Sequence, residues 1–412
     1  MNICRAIISL AAFLLVPVTS AIAQEAKTPF DAGVAWAAFV KLLREEYGYF
    51  DREDIDGDAI LSSFAERAKA ARTDKEFIDT LQLVSHNFAD PHFIVGPLDL
   101  EDWAVVPTTS DLFGTYDGKT FAIGEVRADG DASAKQVGVG MTVMRIDGKT
   151  PRAAIEEITG RPFSSLNSAQ IGFALNIALA GHRRHVRSLE VLDGRWPRTF
   201  ALAATADQAN RIDAGPLLDV ERKGPLGIIR INNSLGNQAL VSQFASALAS
   251  LSDTTTLLID LRDTPSGGNT SVARGLMGHF VDHDRPYQMH VIPYEARVLG
   301  PPRKFVEYVT PYGAHYTCRV YVAGGRWTGS MGEGLMIGFE AIGATTVGSE
   351  LAHLLGALSN EKIDGSAAKI DIGTEQLFTV TGVPRAAFRP QVYLPRAERD
   401  EAGDPVLVAI GR

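Results

Sequence analysis

The stretch TLLIDLRDTPSGGN, residues 256–269, indicates the fold class. Its first half is a nearly continuous apolar run, which is typical of a parallel strand that is buried on both faces. A polar loop with two glycines follows, and the next segment, TSVARGLMGHF (270–280), has helical spacing. The order strand, loop, helix is the unit from which α/β folds are built.

The same order recurs on both sides of this stretch. Predicted strands and predicted helices alternate in LGIIRIN (226–232), QALVSQFASALASL (238–251), CRVYVAGG (318–325), SMGEGLMIGFEAIG (330–343) and ATTVGS (344–349). Repeated β-α-β order predicts a mainly parallel sheet with right-handed crossovers. We therefore expect an α/β core over residues 205–412.

Two further regions precede this core. Residues 24–100 are predicted to form a helical domain, with Asp31 as one N-cap and a Thr73–Glu76 capping box before a second helix. Residues 101–204 contain the strands TFAIGEV and MTVMRI, an Asp147-Gly148 turn and a helix that begins near Pro151. This middle region resembles a PDZ-like module, although a Gly-Leu-Gly-Phe type of carboxylate-binding loop is not found in it.

The first 23 residues have the parts of a secretory signal peptide. Arg5 precedes an apolar run over 6–18, and Ala21 and Ala23 suit a cleavage site before Gln24. The run is too short for a comfortable membrane span, and no other segment is long enough for one. The sequence therefore predicts a periplasmic or secreted protein that does not stay inserted in the membrane.

Composition excludes several classes of partner and cofactor. The formal net charge is −9 and the basic residues are scattered, so nucleic acid is not expected as a partner. Once the signal peptide is removed, Cys318 is the only cysteine. An intramolecular disulfide is then impossible, and a cysteine-based metal site is not expected.

Ser330 is the first candidate for chemistry. It lies where a predicted strand gives way to a helix, at the sheet edge where α/β proteins build their sites. A serine at this position is either a helix cap or a nucleophile, and local sequence leaves both open. The backbone N–H groups of Gly267, Gly268 and Met331 could stabilise an oxyanion, which together with Ser330 would suit acyl transfer.

Several motifs together resemble the S41 family of serine peptidases, the C-terminal-processing and tricorn-type proteases. LLIDLRDTPSGG (257–268) is similar to the family's Asp-Leu-Arg-x-Asn-x-Gly-Gly segment, and TGSMGE (328–333) to its Thr-x-Ser-x-x-Glu motif. The resemblance implies a ClpP/crotonase-like core and a peptidase that acts on a peptide or protein substrate. It also implies Ser330 as nucleophile, Gly268 and Met331 as oxyanion donors, and no metal or organic cofactor.

The resemblance also bears on which residue is the base that accepts the proton of Ser330. VGSELAHLLGA (347–357) has no lysine where the Ser–Lys branch of the family has one. The tricorn-like branch instead uses a histidine from the N-terminal region, and His92 in FADPHFIV matches that position. Imidazole titrates near neutrality, so it can accept a serine proton. His353 is the alternative base, and a structural role in a turn is the alternative for His92.

A third catalytic group is expected to orient the imidazole. The tricorn-like branch uses a glutamate near the C-terminus, which makes Glu375 the candidate, with Asp90 as an alternative. Glu333 is expected only to interact with the helix dipole. If the catalytic set were incomplete, the scaffold would be a non-catalytic protein that binds peptides or small ligands. The distance between His92 and Ser330 distinguishes these two hypotheses.

Overall fold

The computed structural model describes residues 29–107, 110–265 and 268–411. The predicted signal peptide, residues 1–23, lies outside the described residues, and so does Gly267. None of the helices among the described residues is both long and apolar enough to cross a membrane.

The N-terminal part contains three helices and a short strand, namely α1 (Ala32–Glu45), α2 (Gly57–Lys69), α3 (Asp74–Asn87) and β1 (Ile94–Gly96). As predicted, Asp31 caps α1 and Thr73 caps α3, because their side-chain oxygens accept N–H groups of the first turn. The apolar faces of the helices pack together with Ile370 and Ile372 from the other end of the chain. The core of the N-terminal helices is therefore completed by residues from the C-terminal half of the chain.

The middle region has a hydrophobic core of its own, formed between residues 104 and 202. In chain order its elements are β2 (Leu112–Tyr116), β3 (Phe121–Val126), α4 (Asp131–Ala134), β4 (Thr142–Ile146), α5 (Pro151–Thr159), α6 (Ser168–Ala180), β5 (Arg187–Asp193) and β6 (Trp196–Leu202). The five strands form an antiparallel sheet in the order β2-β3-β4-β5-β6, with β2 at one edge. The predicted strands, the Asp147-Gly148 turn and the helix at Pro151 are all present.

The remaining elements belong to the C-terminal half. They are α7 (Thr205–Ala214), β7 (Leu218–Lys223), β8 (Leu226–Ile231), α8 (Ala239–Ser250), β9 (Thr256–Asp260), α9 (Thr270–Met277), β10 (Arg285–Ile292), β11 (Arg303–Val309), β12 (Arg319–Gly324), α10 (Met331–Ala341), β13 (Thr345–Gly348), β14 (Ala357–Lys362), β15 (Lys369–Phe378), β16 (Val392–Tyr393) and α11 (Pro405–Ala409).

The predicted parallel sheet is confirmed. Its order is β16-β13-β12-β9-β8-β7, and every neighbouring pair is parallel except β7 with β8. All five residues of β9 are buried, as its apolar run predicts. Since β9 and β12 are parallel neighbours, the loops that follow Asp260 and Gly324 emerge side by side at one sheet edge.

A second sheet of the C-terminal half is not predicted by the sequence. It is antiparallel, in the order β1-β15-β10-β11, and β14 also pairs with β15. Strand β1, which follows the N-terminal helices, pairs through Ile94 with Asp371. This pairing brings the segment before β1, which carries His92, to the C-terminal half of the chain.

Candidate active site

Two loops of the parallel sheet are bonded to each other at the sheet edge. The hydroxyl of Thr328 donates to the Leu261 carbonyl at 2.9 Å, and the N–H of Gly329 donates to the Thr264 carbonyl at 3.0 Å. A Cβ on Gly329 would lie 2.7 Å from the carbonyl oxygen of Pro265, so only glycine allows this approach. The loop before α10 is therefore held rigidly against the loop after β9.

Ser330 follows this contact and directly precedes α10. Its backbone has φ 53° and ψ −114°, in a region that residues with a side chain rarely adopt. The hydroxyl lies 3.1 Å from Nε2 of His92, which is 238 residues away in the chain. Of the two roles that the sequence left open, this geometry supports a reacting hydroxyl, because the side chain contacts an imidazole.

His92 lies on the segment between α3 and β1 and is held by two hydrogen bonds. Its N–H donates to a carboxylate oxygen of Asp90 at 2.9 Å, and its Nδ1 lies 2.9 Å from the carbonyl oxygen of Leu355. A carbonyl only accepts hydrogen bonds, so Nδ1 must carry the proton. Nε2 then has a free lone pair that faces the Ser330 hydroxyl, which is the arrangement that a general base requires.

The surroundings keep this imidazole neutral. Burial, and secondarily the positive charge of Arg385, lower the pKa of His92 to about 4. Hydrogen bonds to the backbone oppose this shift, but they do not carry the negative charge that would stabilise an imidazolium. His92 is therefore unprotonated at neutral pH and able to accept a proton.

Glu333 connects the serine to the loop that bears the Leu355 carbonyl. Its carboxylate is buried and accepts the N–H groups of Ser330 at 2.9 Å, His353 at 3.0 Å and Leu354 at 3.1 Å. Burial raises the pKa of Glu333, and the charge of Arg385 opposes that rise. From the sequence, Glu333 is expected only to interact with the helix dipole, although its place three residues after Ser330 matches a capping box.

Two more buried charges hold the same loop. The Arg385 guanidinium donates to the carbonyl groups of Leu354 at 2.6 Å and Gly356 at 3.2 Å. Asp90 accepts the N–H of Leu355 at 3.4 Å and the hydroxyl of Tyr47 at 2.8 Å, and burial raises the pKa of Asp90 to about 6. The carbonyl that orients His92 is thus held in place by Asp90, Glu333 and Arg385. The sequence indicated no role for Arg385.

Glu375 is not in the predicted place, and the expectation that it orients His92 is corrected. Its carboxylate lies 2.6 Å from Nδ1 of His290, on the neighbouring strand β10. The other ring nitrogen of His290 is 3.6 Å from Glu307 and 2.9 Å from the Gln288 amide. Glu375 therefore belongs to a second, separate histidine–carboxylate cluster. The backbone of Leu355 occupies the position where a carboxylate was expected.

The imidazole of His353, the alternative base, lies beside Glu350. Its backbone N–H is bonded to Glu333, while its imidazole Nε2 lies 3.9 Å from the Glu350 carboxylate. The side chain is 39% exposed, in contrast to the buried ring of His92. Among the described residues, the imidazole in hydrogen-bond contact with the Ser330 hydroxyl is that of His92.

Two of the predicted oxyanion donors are among the described residues. Gly268 packs so closely on the backbone of Leu235 that a Cβ would lie 1.9 Å from its carbonyl carbon. Met331 is the first residue of α10, where backbone N–H groups have no partner inside the helix. Within the described ranges neither N–H has a hydrogen-bond partner, so both could donate to a bound oxyanion.

Comparison with known proteins identifies the fold. No protein-family model matches the sequence, and neither does any curated protein. Among solved structures, the photosystem II D1 C-terminal processing protease is 15% identical, with a TM-score of 0.55, and the match covers 89% of this chain and 94% of that one. Mature CPAF is 12% identical, with a TM-score of 0.60, over 89% and 93% of the two chains. The chain thus has the fold of S41-type peptidases, as the sequence motifs predicted.

Proposed function

We propose that this protein is an exported serine peptidase of the S41 type, with Ser330 as nucleophile and His92 as base. The observation that carries the proposal is the 3.1 Å contact between Ser330 Oγ and the unprotonated Nε2 of His92. The fold that the chain shares with two proteases supports peptide bonds as the target. Residues 1–23 would supply the export signal.

The first half of the reaction forms an acyl-enzyme. His92 Nε2 takes the proton as Ser330 Oγ attacks the peptide carbonyl, and the N–H groups of Gly268 and Met331 stabilise the oxyanion. Collapse of this intermediate breaks the C–N bond, and the leaving amine takes the proton from His92. The Leu355 carbonyl keeps the imidazole in one orientation and one tautomer throughout.

The second half releases the acyl group. Water enters where the amine left, His92 removes its proton, and the resulting hydroxide attacks the ester carbon on Ser330. The second tetrahedral intermediate collapses to a carboxylic acid, and the proton on His92 returns to the serine. Each group in the cycle is restored, so no cofactor is consumed.

The alternative hypothesis, a binding protein with an incomplete catalytic set, predicts His92 and Ser330 too far apart to react. Their hydrogen-bond distance favours catalysis over binding alone. The choice of a histidine over a lysine as base is supported by the same contact, and by the absence of lysine from residues 347–357.

The test is covalent labelling combined with proteolysis. A fluorophosphonate probe is expected to label the mature protein, and labelling should be lost in Ser330→Ala and strongly reduced in His92→Ala. His353→Ala serves as the matched control and should retain labelling, because its imidazole faces Glu350. Hydrolysis of an unfolded protein substrate should follow the same order. Labelling that persists in Ser330→Ala would refute the assignment.

A further inference from the structure

The outer edge of strand β2 is already occupied by side chains of the same chain. The Ser110 hydroxyl accepts the N–H of Leu112 at 3.2 Å and donates to its carbonyl at 2.5 Å. The Asn176 amide on α6 accepts the N–H of Gly114 at 2.8 Å and donates to its carbonyl at 3.2 Å. Two alternate residues of the edge strand therefore have both backbone groups bonded within the module.

These hydrogen bonds bear on whether the middle region can bind a peptide at the outer edge of β2. PDZ domains bind peptide ends by adding them as a strand to an exposed sheet edge, through backbone hydrogen bonds. Here an added strand would have to displace Ser110 and Asn176 at Leu112 and Gly114. The edge is thus protected in the way that proteins prevent unwanted strand pairing, and it does not provide a template for peptide capture.

The same strand instead forms one wall of a cavity beside the catalytic pair. The cavity has a volume of about 390 Å³ and lies between β2, α6 and the loop over residues 350–353. Its walls are largely apolar, with contributions from Val106, Leu112, Phe113, Phe173, Trp327 and Ala352. The Arg326–Glu350 ion pair, at 2.6 Å, is a polar part of the lining.

Two residues that line this cavity place it close to the site. Pro91, which lines it, directly precedes His92. Ala352 also lines it, and its Cβ lies 3.4 Å from where a Cβ of Gly329 would be, next to Ser330. A peptide bound with its carbonyl at Ser330 can therefore extend a neighbouring side chain into the cavity.

We propose that this cavity binds an apolar side chain of the peptide substrate, and that the middle region selects substrates by this side chain instead of by a terminal carboxylate. The inference rests on the proposed peptidase function, which it makes more specific. Aliphatic or aromatic side chains suit the walls, since burying apolar surface stabilises the complex.

Gly172 on α6 allows a direct test. It lines the cavity, and a Cβ at this position would meet no heavy atom within 4 Å. Gly172→Leu should therefore place an apolar side chain in the cavity, with free space at its Cβ, and the loss of a helical glycine should leave the fold as stable as before or more so. Ala249→Leu, at an exposed position of α8, adds a leucine far from the cavity and is the matched control.

Binding is measured by fluorescence anisotropy in a Ser330→Ala background, so that turnover does not interfere. The probes are labelled octapeptides of glycine, serine and alanine in which one phenylalanine occupies each position in turn. The best phenylalanine peptide should bind about tenfold more tightly than the all-small peptide. Gly172→Leu should remove that advantage, while Ala249→Leu should retain it, and amidation of the peptide C-terminus should change affinity less than about twofold.

The proposal fails if phenylalanine confers no advantage, if Gly172→Leu weakens all peptides equally, or if amidation lowers affinity about tenfold or more. Thermal unfolding of both leucine variants confirms that they are folded. Fluorophosphonate labelling of the unaltered serine reports separately on catalysis. If labelling is absent but the phenylalanine peptides still bind in the cavity, only the catalytic proposal is refuted. If labelling occurs but phenylalanine gives no advantage in binding, only the cavity proposal is refuted.

Discussion

His92 and His290 are both buried, and both use Nδ1 in a close hydrogen bond, but their partners differ. The partner of His92 is the Leu355 carbonyl, whereas the partner of His290 is the Glu375 carboxylate. Burial lowers the pKa of His92 to about 4. Burial alone would also lower the pKa of His290, but hydrogen bonds with Glu307 and Glu375 raise it overall.

This comparison shows that the partner, not the residue type, decides what a buried histidine can do. A neutral imidazole with a free Nε2 lone pair can accept a proton, whereas two neighbouring carboxylates stabilise the protonated form of an imidazole. The expected triad of serine, histidine and glutamate is divided between the two sites. Ser330 and His92 are at one, and Glu375 is at the other.

The largest predicted difference between the two histidines is in turnover. His92→Asn should lower kcat by roughly 10⁴-fold or more, because the serine loses its base. His290→Asn should lower kcat less than about tenfold, since its ring contacts Gln288, Glu307 and Glu375 and not Ser330. Steady-state hydrolysis of one fluorogenic peptide by both purified variants checks this. Equal losses in the two variants would show that the sites do not differ in function.

The next effect concerns the carboxylates beside each site. Glu333→Gln should lower kcat roughly 10- to 100-fold with little change in KM, because an amide cannot accept all the N–H groups that fix Ser330 and the 353–355 loop. Glu307→Gln is the counterpart beside His290 and should leave kcat nearly unchanged. Circular dichroism establishes that both variants are folded. A loss seen mainly in KM would contradict a positioning role for Glu333.

The pH profile of activity follows from the pKa of His92. The base is needed unprotonated, so the acid limb of kcat/KM should fall near pH 4 to 5 instead of near 6.5. A profile of kcat/KM between pH 3.5 and 8, recorded without inhibitor, measures this limb. An apparent pKa of 6.5 or above would mean that a carboxylate, not the Leu355 carbonyl, is the effective partner of the base.

The two histidines should make the free energy of unfolding depend on pH in opposite directions. The folded-state pKa of His92 lies below its unfolded value, so its contribution is lost as pH falls from about 6.5 to about 4, by about 3 kcal/mol in total. The folded-state pKa of His290 lies above its unfolded value, so its contribution is present below pH 6.5 and is lost as pH rises through the folded-state pKa.

Urea unfolding across this pH range, with His92→Asn and His290→Asn, measures the two slopes. Relative to the unaltered protein, removal of His92 should flatten the rise of stability with pH, and removal of His290 should steepen it. Both variants retain Asp90, so its titration largely cancels in the difference. Slopes that change in the same direction would contradict the opposite pKa shifts of the two histidines.

The smallest effects are expected from two tyrosines, one beside each histidine. Tyr47 donates its hydroxyl to Asp90, and Tyr287 donates to Glu307. Tyr47→Phe removes the hydroxyl bonded to Asp90 and should cost about 1 to 3 kcal/mol of stability, with less than a threefold change in kcat. Tyr287→Phe removes the hydroxyl bonded to Glu307 and should leave kcat unchanged. Thermal unfolding and steady-state assays separate the two effects. A tenfold loss of kcat in Tyr47→Phe alone would give Asp90 a more direct part in the reaction.

Much of the fold could be predicted because it follows from local patterns. The apolar run of β9, the Asp31 and Thr73 caps and the strand-to-helix order around Ser330 depend on residues close in sequence. The antiparallel sheet could not be predicted in the same way. Its pairing of Ile94 with Asp371 joins segments that are distant in sequence, and neither segment has a sequence pattern that indicates its partner.

The sequence by itself determined the parallel core, and its resemblance to a peptidase family singled out Ser330 and His92 as the residues to examine. Only the tertiary structure decided which groups surround and orient them. A backbone carbonyl has no sequence signature, because every residue carries one, so the role of Leu355 depends entirely on where Asp90, Glu333 and Arg385 hold its loop. The place of Glu375 beside His290 was decided in the same way, by the pairing of β15 with β10.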